Sequence, residues 1–267
     1  MAEPQPVDLH FQRFGAGRPV VILHGLFGSA RNWQTVARNL ADQYSVVTVD
    51  LRNHGSSPHA AQMDYAAMSL DVSVLLQRLA LKNITLIGHS MGGKAAMTLA
   101  LSDADRIAQL IIIDIGPGAY VNDYDHLLAA MSQLDLHTIS RRADAQARLQ
   151  SAISDNDIRA FTLQNLIITA NSPPHWRINL PAIRNAIEDI VGAIPVGSGA
   201  PFNAPSHFIR GENSDRISRD NLASIHDHFP SFKLTTITNS GHWPHAENSV
   251  EFITKLRQLL ESDHLTA

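Results

Sequence analysis

With 267 residues, the chain can form one large α/β domain or a core with an inserted cap. A net charge of −4 and scattered basic residues (Arg141-Arg142 is the longest pair) argue against a nucleic-acid partner, and the lack of cysteine excludes disulfides, a thiolate nucleophile and thiolate metal sites. No apolar run approaches the roughly 18 residues of a membrane span, and residues 1–10 lack a charged segment leading into an apolar one, so a cytoplasmic protein is expected.

The first element expected is an antiparallel strand over Val7–Phe14, turned by Gly15-Ala16-Gly17. Short β-branched runs then alternate with helical patterns. Pro19–Leu23 ends at His24-Gly25, Ser45–Val49 at Asp50, and Asn83–Ile87 at Gly88. Leu110–Ile113 ends at Asp114, His207–Ile209 at Arg210-Gly211, and Lys233–Ile237 leads to Ser240-Gly241-His242 and a last helix over Val250–Leu260. Continuous apolar strands of this kind are buried on both faces, as in a parallel sheet covered by helices.

Between Ile115 and Pro205 the pattern is helical, over Tyr124–Leu134, Ala143–Ala152, Ile158–Leu166 and Leu180–Ile190, with no strand expected. Gly116-Pro117-Gly118 opens this region, and Pro195, Gly197, Gly199, Pro201 and Pro205 close it. Residues 1–115 and 205–267 therefore read as an α/β core, and 116–204 as a helical cap over the carboxyl ends of the strands, where open α/β sheets place their ligands.

The chemistry is concentrated at Gly88-His89-Ser90-Met91-Gly92, which joins an apolar strand directly to a helical pattern. Strand, G-x-S-x-G turn and helix together form the setting of a nucleophile elbow. So sharp a turn holds its serine in a strained backbone conformation, and the residues two positions away must lack bulk. Oγ then stands clear of the sheet and the Met91 N–H faces a developing oxyanion. A Gly-rich turn that only packs, or that binds phosphate, is the bland alternative.

A serine needs a base, and the base needs an orienting carboxylate. Among 14 histidines, His242 follows the last strand and precedes the last helix, which places it over the sheet edge beside Ser90. His245 reads as structural. The usual place for the acid is the loop after the penultimate strand, three residues past a glycine; here that position holds Ser214, and Asp215 comes one residue late. The other candidate, Asp114, ends an apolar strand, where a buried carboxylate requires a partner and His242 supplies one. Asp114 is preferred and Asp215 is the alternative; Asp114 could instead cap the Gly116–Gly118 turn. The second oxyanion amide is expected from His24-Gly25-Leu26-Phe27-Gly28, at Leu26 or else Phe27, with His24 bracing the loop. Phe27 and Trp176 are candidate substrate-binding residues, with Trp33 and Met91 as further candidate walls.

The stretches His24–Ser29, Asp50-Leu51-Arg52-Asn53-His54-Gly55-Ser56-Ser57, Gly88–Lys94, Trp176-Arg177-Ile178-Asn179-Leu180, Arg210–Ser214 and Gly241-His242-Trp243 resemble α/β-hydrolases, and among them the YbfF-type bacterial esterases and their mitochondrial relatives. The resemblance runs from about Val20 to Phe252. It implies a mostly parallel, eight-stranded twisted sheet and a triad acid after the sixth strand, at Asp114. It also implies hydrolysis of carboxylic esters, with acyl-CoA thioesters as further substrates. Asp215 departs from the pattern of the group and keeps the alternative acid open. A C–C bond hydrolase or lyase would use the same triad, and a non-catalytic binding module would usually have lost it. No cofactor or metal is needed for the hydrolytic chemistry, and the partner expected is a small acyl ester or acyl-CoA.

Overall fold

The computed structural model describes residues 4–195 and 200–262; Gly197 and Gly199 lie outside the described residues. The chain runs β1 (Phe11–Phe14), β2 (Arg18–Leu23), α1 (Gln34–Leu40), β3 (Tyr44–Val49), α2 (Tyr65–Arg78), β4 (Ile84–His89), α3 (Met91–Ser102) and β5 (Ile107–Ile113). An insertion follows, made of α4 (Asp125–Gln133), α5 (Arg142–Leu149), α6 (Asn156–Leu163), β6 (Leu166–Thr169), β7 (Ser172–Trp176), α7 (Leu180–Asn185) and α8 (Ile187–Val191). The chain then returns through β8 (Ser206–Gly211), α9 (Arg219–His228), β9 (Phe232–Ile237), α10 (Pro244–Glu247) and α11 (Ser249–Ser262).

The main sheet has the order β1-β3-β2-β4-β5-β8-β9 and is parallel except for β1, which pairs antiparallel with β3. Its central strands are mainly apolar because both faces are covered. Val20, Ile22, Ile87, Ile111 and Ile113 point to one face, against Val36 and Leu40 of α1 and Phe252 and Leu256 of α11. The alternating Val21, Leu23, Leu86, Leu110 and Ile112 point to the other, against Met68, Val72 and Leu75 of α2 and Ala95, Ala96 and Leu99 of α3.

The mostly parallel sheet is as expected, but it has seven strands, not eight. The strand expected over Val7–Phe14 is also shorter, starting at Phe11, because amides before it are taken by side chains: Val7 N–H donates to Asp71 Oδ1 (2.7 Å) and His10 N–H to Ser57 Oγ (2.8 Å). The insertion also departs from the all-helical expectation. It carries an antiparallel hairpin, β6–β7, whose second strand is Ser-Pro-Pro-His-Trp; prolines are tolerated there because the ribbon has only two strands, and each has a free edge. Among the described residues, no helix is long and apolar enough to cross a membrane.

Because the central strands are parallel, the loops after β2, β4, β5, β8 and β9 all emerge at one edge. The last two meet closely: a Cβ on Gly211 would stand 2.0 Å from the Gly241 carbonyl oxygen, so only glycine lets the β8 and β9 loops touch there. That contact brings residues 211–216 and 239–243 to the end of β5.

Candidate active site

Ser90 stands at the tip of the turn between β4 and α3 with φ 52° and ψ −120°, the strained geometry of an elbow. The flanking glycines follow from close approach. A Cβ on Gly88 would lie 2.3 Å from the Gly92 carbonyl oxygen, and one on Gly92 would lie 2.4 Å from that of His24. The Ser90 N–H is anchored on the Ile113 carbonyl (3.0 Å).

The structure brings three of the residues singled out in the sequence into one line. His242 Nε2 is 2.9 Å from Ser90 Oγ, and His242 Nδ1 is 2.8 Å from Asp114 Oδ2. With Nδ1–H donating to the carboxylate, Nε2 is left with a lone pair facing the serine hydroxyl. Asp114 is fully buried (0 %) and turns at φ 53°. Its carboxylate also accepts from Gly211 N–H (3.0 Å, Oδ1) and from Ser214 Oγ–H (2.5 Å, Oδ2). Ser214 thus occupies the sequence position usual for an acid and supports Asp114 from there. The side chain of Asp215 is 99 % exposed and faces only Arg216, 3.9 Å away.

Neutral histidines build the walls around this line. His24 donates from Nδ1 to Gly25 O (2.8 Å) and accepts the Leu51 N–H at Nε2 (3.0 Å). His54 donates from Nδ1 to Arg52 O (3.0 Å) and accepts the Phe27 N–H at Nε2 (3.2 Å). Each needs one protonated and one bare ring nitrogen, and burial lowers both, His54 to about 3. His89 donates from Nε2 to the His242 carbonyl (2.7 Å), fixing the loop that carries His242; burial, then the neighbouring His242 and His245, push it well below the ordinary value. His245 is held down to about 3 by burial, then by His242, and stacks on Trp33 at 4.2 Å.

The Phe27 amide is therefore committed to His54. The Leu26 and Met91 amides have no protein acceptor among the described residues, and Met91 opens α3, where an N–H points out of the helix. The Asp-x-Arg-x-His-Gly-x-Ser stretch is scaffold. Asp50 accepts from Ala30 N–H (2.7 Å) and Ser56 N–H (2.9 Å), and Arg52 forms a buried pair with Asp71 (2.6 Å and 2.8 Å). Asn179 fastens the insertion to it, donating to Asn53 Oδ1 (3.0 Å) while its N–H reaches Asn53 O (3.0 Å).

A cavity of about 180 Å³ opens on Ser90 and His242 and is lined by Leu26, Phe27, Tyr124, Leu127, Phe161 and Trp243 among others. Phe27 is part of its wall. Trp176 is not: it lines a separate cleft with Met131 and Leu136 and donates from Nε1 to Met131 O (3.2 Å). The β6–β7 hairpin, unseen in the sequence pattern, is what turns it away. Trp33 is buried against His245, and Met91 is buried and is not among the residues that line the cavity. Sequence reasoning missed Tyr124, whose buried phenol lies against Ser90 and Tyr120 and is pushed up by burial. It also missed the Arg216–Asp123 pair at the cavity wall (2.6 Å). Trp243 was in view, directly after His242.

The sequence model of the α/β-hydrolase fold family matches residues 18–249. Curated relatives include an sn-1-specific diacylglycerol lipase ABHD11 of Xenopus laevis, 38 % identical over 96 % of this chain and 85 % of that protein. The esterase YbfF of Escherichia coli K12 is 33 % identical over 91 % of this chain and 92 % of its own. Among solved structures, a marine microorganism esterase superposes with a TM-score of 0.92 at 35 % identity, covering 95 % of this chain and 99 % of that one. The chain belongs to the α/β-hydrolase fold family, among its esterase- and lipase-type members.

Proposed function

We propose that the chain is a serine hydrolase that cleaves carboxylic esters through an acyl-enzyme, with residues 1–115 and 205–267 as core and 116–204 as cap. The observation that carries the reading is the unbroken line Ser90 Oγ, His242, Asp114 at 2.9 Å and 2.8 Å. Ser90 Oγ attacks the acyl carbon as its proton passes to His242 Nε2. Asp114 holds the imidazole in the required tautomer and stabilises the imidazolium. The Leu26 and Met91 N–H groups receive the oxyanion, each contributing about 3 kcal/mol to the transition state. Collapse expels the alcohol, which takes the proton from His242. Water then attacks the acyl-Ser90 carbon, giving its proton to Nε2, and the acid leaves as the serine recovers that proton.

The cavity supports a small acyl group. At roughly 30 Å³ per water-sized group, about 180 Å³ accommodates about six such groups. Its walls are mainly apolar, so the acyl chain sits there and the leaving group outside. An acyl-CoA thioester would react by the same steps. The lack of cysteine suits a reducing, cytoplasmic setting.

The test is labelling by a fluorophosphonate, with Ser90→Ala as control, followed by kcat/KM over p-nitrophenyl esters and acyl-CoAs of increasing length. Labelling lost in Ser90→Ala and a maximum near four to six carbons, roughly the cavity's capacity, are expected. Intact protein that resists the probe would refute the serine mechanism.

A further inference from the structure

Lys94 stands one helical turn beyond Ser90, and its N–H donates to the Ser90 carbonyl (3.0 Å). The residue is fully buried. Among the described side chains, no carboxylate pairs with it. Its ammonium donates instead to two backbone carbonyls, Gly118 O (2.7 Å) and Gly192 O. Their places in the chain are telling. Gly118 lies where the chain leaves β5 for α4, and Gly192 directly follows α8, where the chain turns back toward β8. The two linkers also hold each other, through Tyr120 N–H to Val191 O (3.0 Å) and Ile194 N–H to Pro117 O (2.9 Å).

Three groups face the ammonium. Tyr65 of α2 presents its ring at 5.8 Å, and its hydroxyl donates to Ile190 O (2.5 Å), a further tie on the end of α8 just before the returning linker. Tyr120, in the outgoing linker, presents its ring at 4.7 Å. Arg216, before α9, is the like charge; its guanidinium lies over the same Tyr120 ring at 4.6 Å and is paired with Asp123. Tyr120 in turn touches Tyr124, which reaches Ser90. A buried cation without a counter-ion is costly, and an apolar side chain of the same length would be cheaper there. Packing alone does not account for a lysine at this point.

We propose that Lys94 is a positioning residue for the ester hydrolysis described above: its buried ammonium latches both ends of the cap to the helix that carries Ser90, and loss of its proton loosens the cap over the site. The proposal rests on the serine-hydrolase reading. Burial first, then Arg216, push the Lys94 ammonium down to about 7. The latch therefore changes charge near neutrality, and a neutral amine has one donor fewer and makes bonds about half as strong. The cap is held below that pH and looser above it.

Two measurements on the full chain test this. Hydrogen exchange is followed in the linkers 117–124 and 190–195 at about pH 6 and about pH 8.5, after correction for intrinsic rates. Exchange about tenfold faster at the higher pH, an opening cost lower by about 1.4 kcal/mol, is expected. Lys94→Met should exchange fast at both pH values. Its KM for p-nitrophenyl butyrate should stay flat at the high value that wild type reaches only above pH 7, while kcat changes less. Linker exchange in wild type that ignores pH overturns the latch, and that comparison stands even where Lys94→Met fails to fold. A Lys94→Met protein that keeps the wild-type pH dependence overturns it as well. Failure of Ser90 to take the fluorophosphonate while linker exchange still switches refutes the hydrolase reading instead, so the two failures are separable.

Discussion

Replacing Asp114 by asparagine exchanges one oxygen for an NH2 group at a site where both carboxylate oxygens are engaged. Oδ1 accepts from the Gly211 backbone N–H at 3.0 Å, and Oδ2 accepts from His242 Nδ1 at 2.8 Å and Ser214 Oγ at 2.5 Å. The Gly211 donor is main chain and cannot reverse, so the amide oxygen must face it and the NH2 group must face His242. An NH2 group opposite Nδ1 requires Nδ1 to be bare. The ring proton then moves to Nε2, which points at Ser90 and can no longer accept its proton. A wrong tautomer of this kind costs on the order of 10⁴ in kcat, or about 5.4 kcal/mol of activation free energy. The buried volume is unchanged, so Tm should move little. Steady-state hydrolysis of p-nitrophenyl butyrate by Asp114→Asn, beside Asp215→Asn, measures the effect; Asp215 is 99 % exposed and should be within about twofold of wild type. An Asp114→Asn protein within tenfold of wild type, or a larger loss in Asp215→Asn, would refute the assignment.

Gly92→Ala would put a Cβ 2.4 Å from the His24 carbonyl oxygen and 2.7 Å from that of Leu23, and no flexible side chain is there to yield. A loss of about 3 kcal/mol in urea unfolding is expected, and an unchanged midpoint would show that the β2 loop can retreat. Stability should also fall in mild acid. Unfolded histidine takes a proton near 6.5, whereas His54 and His245 do so only at about 3, so the unfolded chain holds more protons across that window. Those two groups alone remove about 2.7 kcal/mol per pH unit as pH drops below about 6, with His24 and His89 adding in the same direction. A Tm that stays level between pH 7 and pH 5 would contradict the neutral assignments.

Much of the core was legible because its strands are buried on both faces. Runs such as Leu110–Ile113, short, β-branched and bounded by turn residues, read as interior strand, and the residue that ends each run then lies on the site edge. The elbow was legible for a related reason: Gly88 and Gly92 mark backbone approaches that no other residue permits. The insertion was less legible. Helical periodicity located most of its helices but hid β6–β7, since a two-stranded ribbon with paired prolines has no burial pattern of its own. Trp176 was misplaced with it, and Tyr124, the aromatic that reaches Ser90, looked like an ordinary helix start.

By itself the sequence pointed to Ser90 and His242 as candidates and to the class of fold, because these depend on local turn chemistry and on the order of strands. Only the tertiary structure set Asp114, and not Asp215, beside His242, committed the Phe27 amide to His54, and joined Lys94 to the two ends of the insertion. Those outcomes are set by distances of a few ångströms between residues about 25 to more than 120 positions apart. A one-residue shift along a loop reverses such a distance, and no periodicity records it.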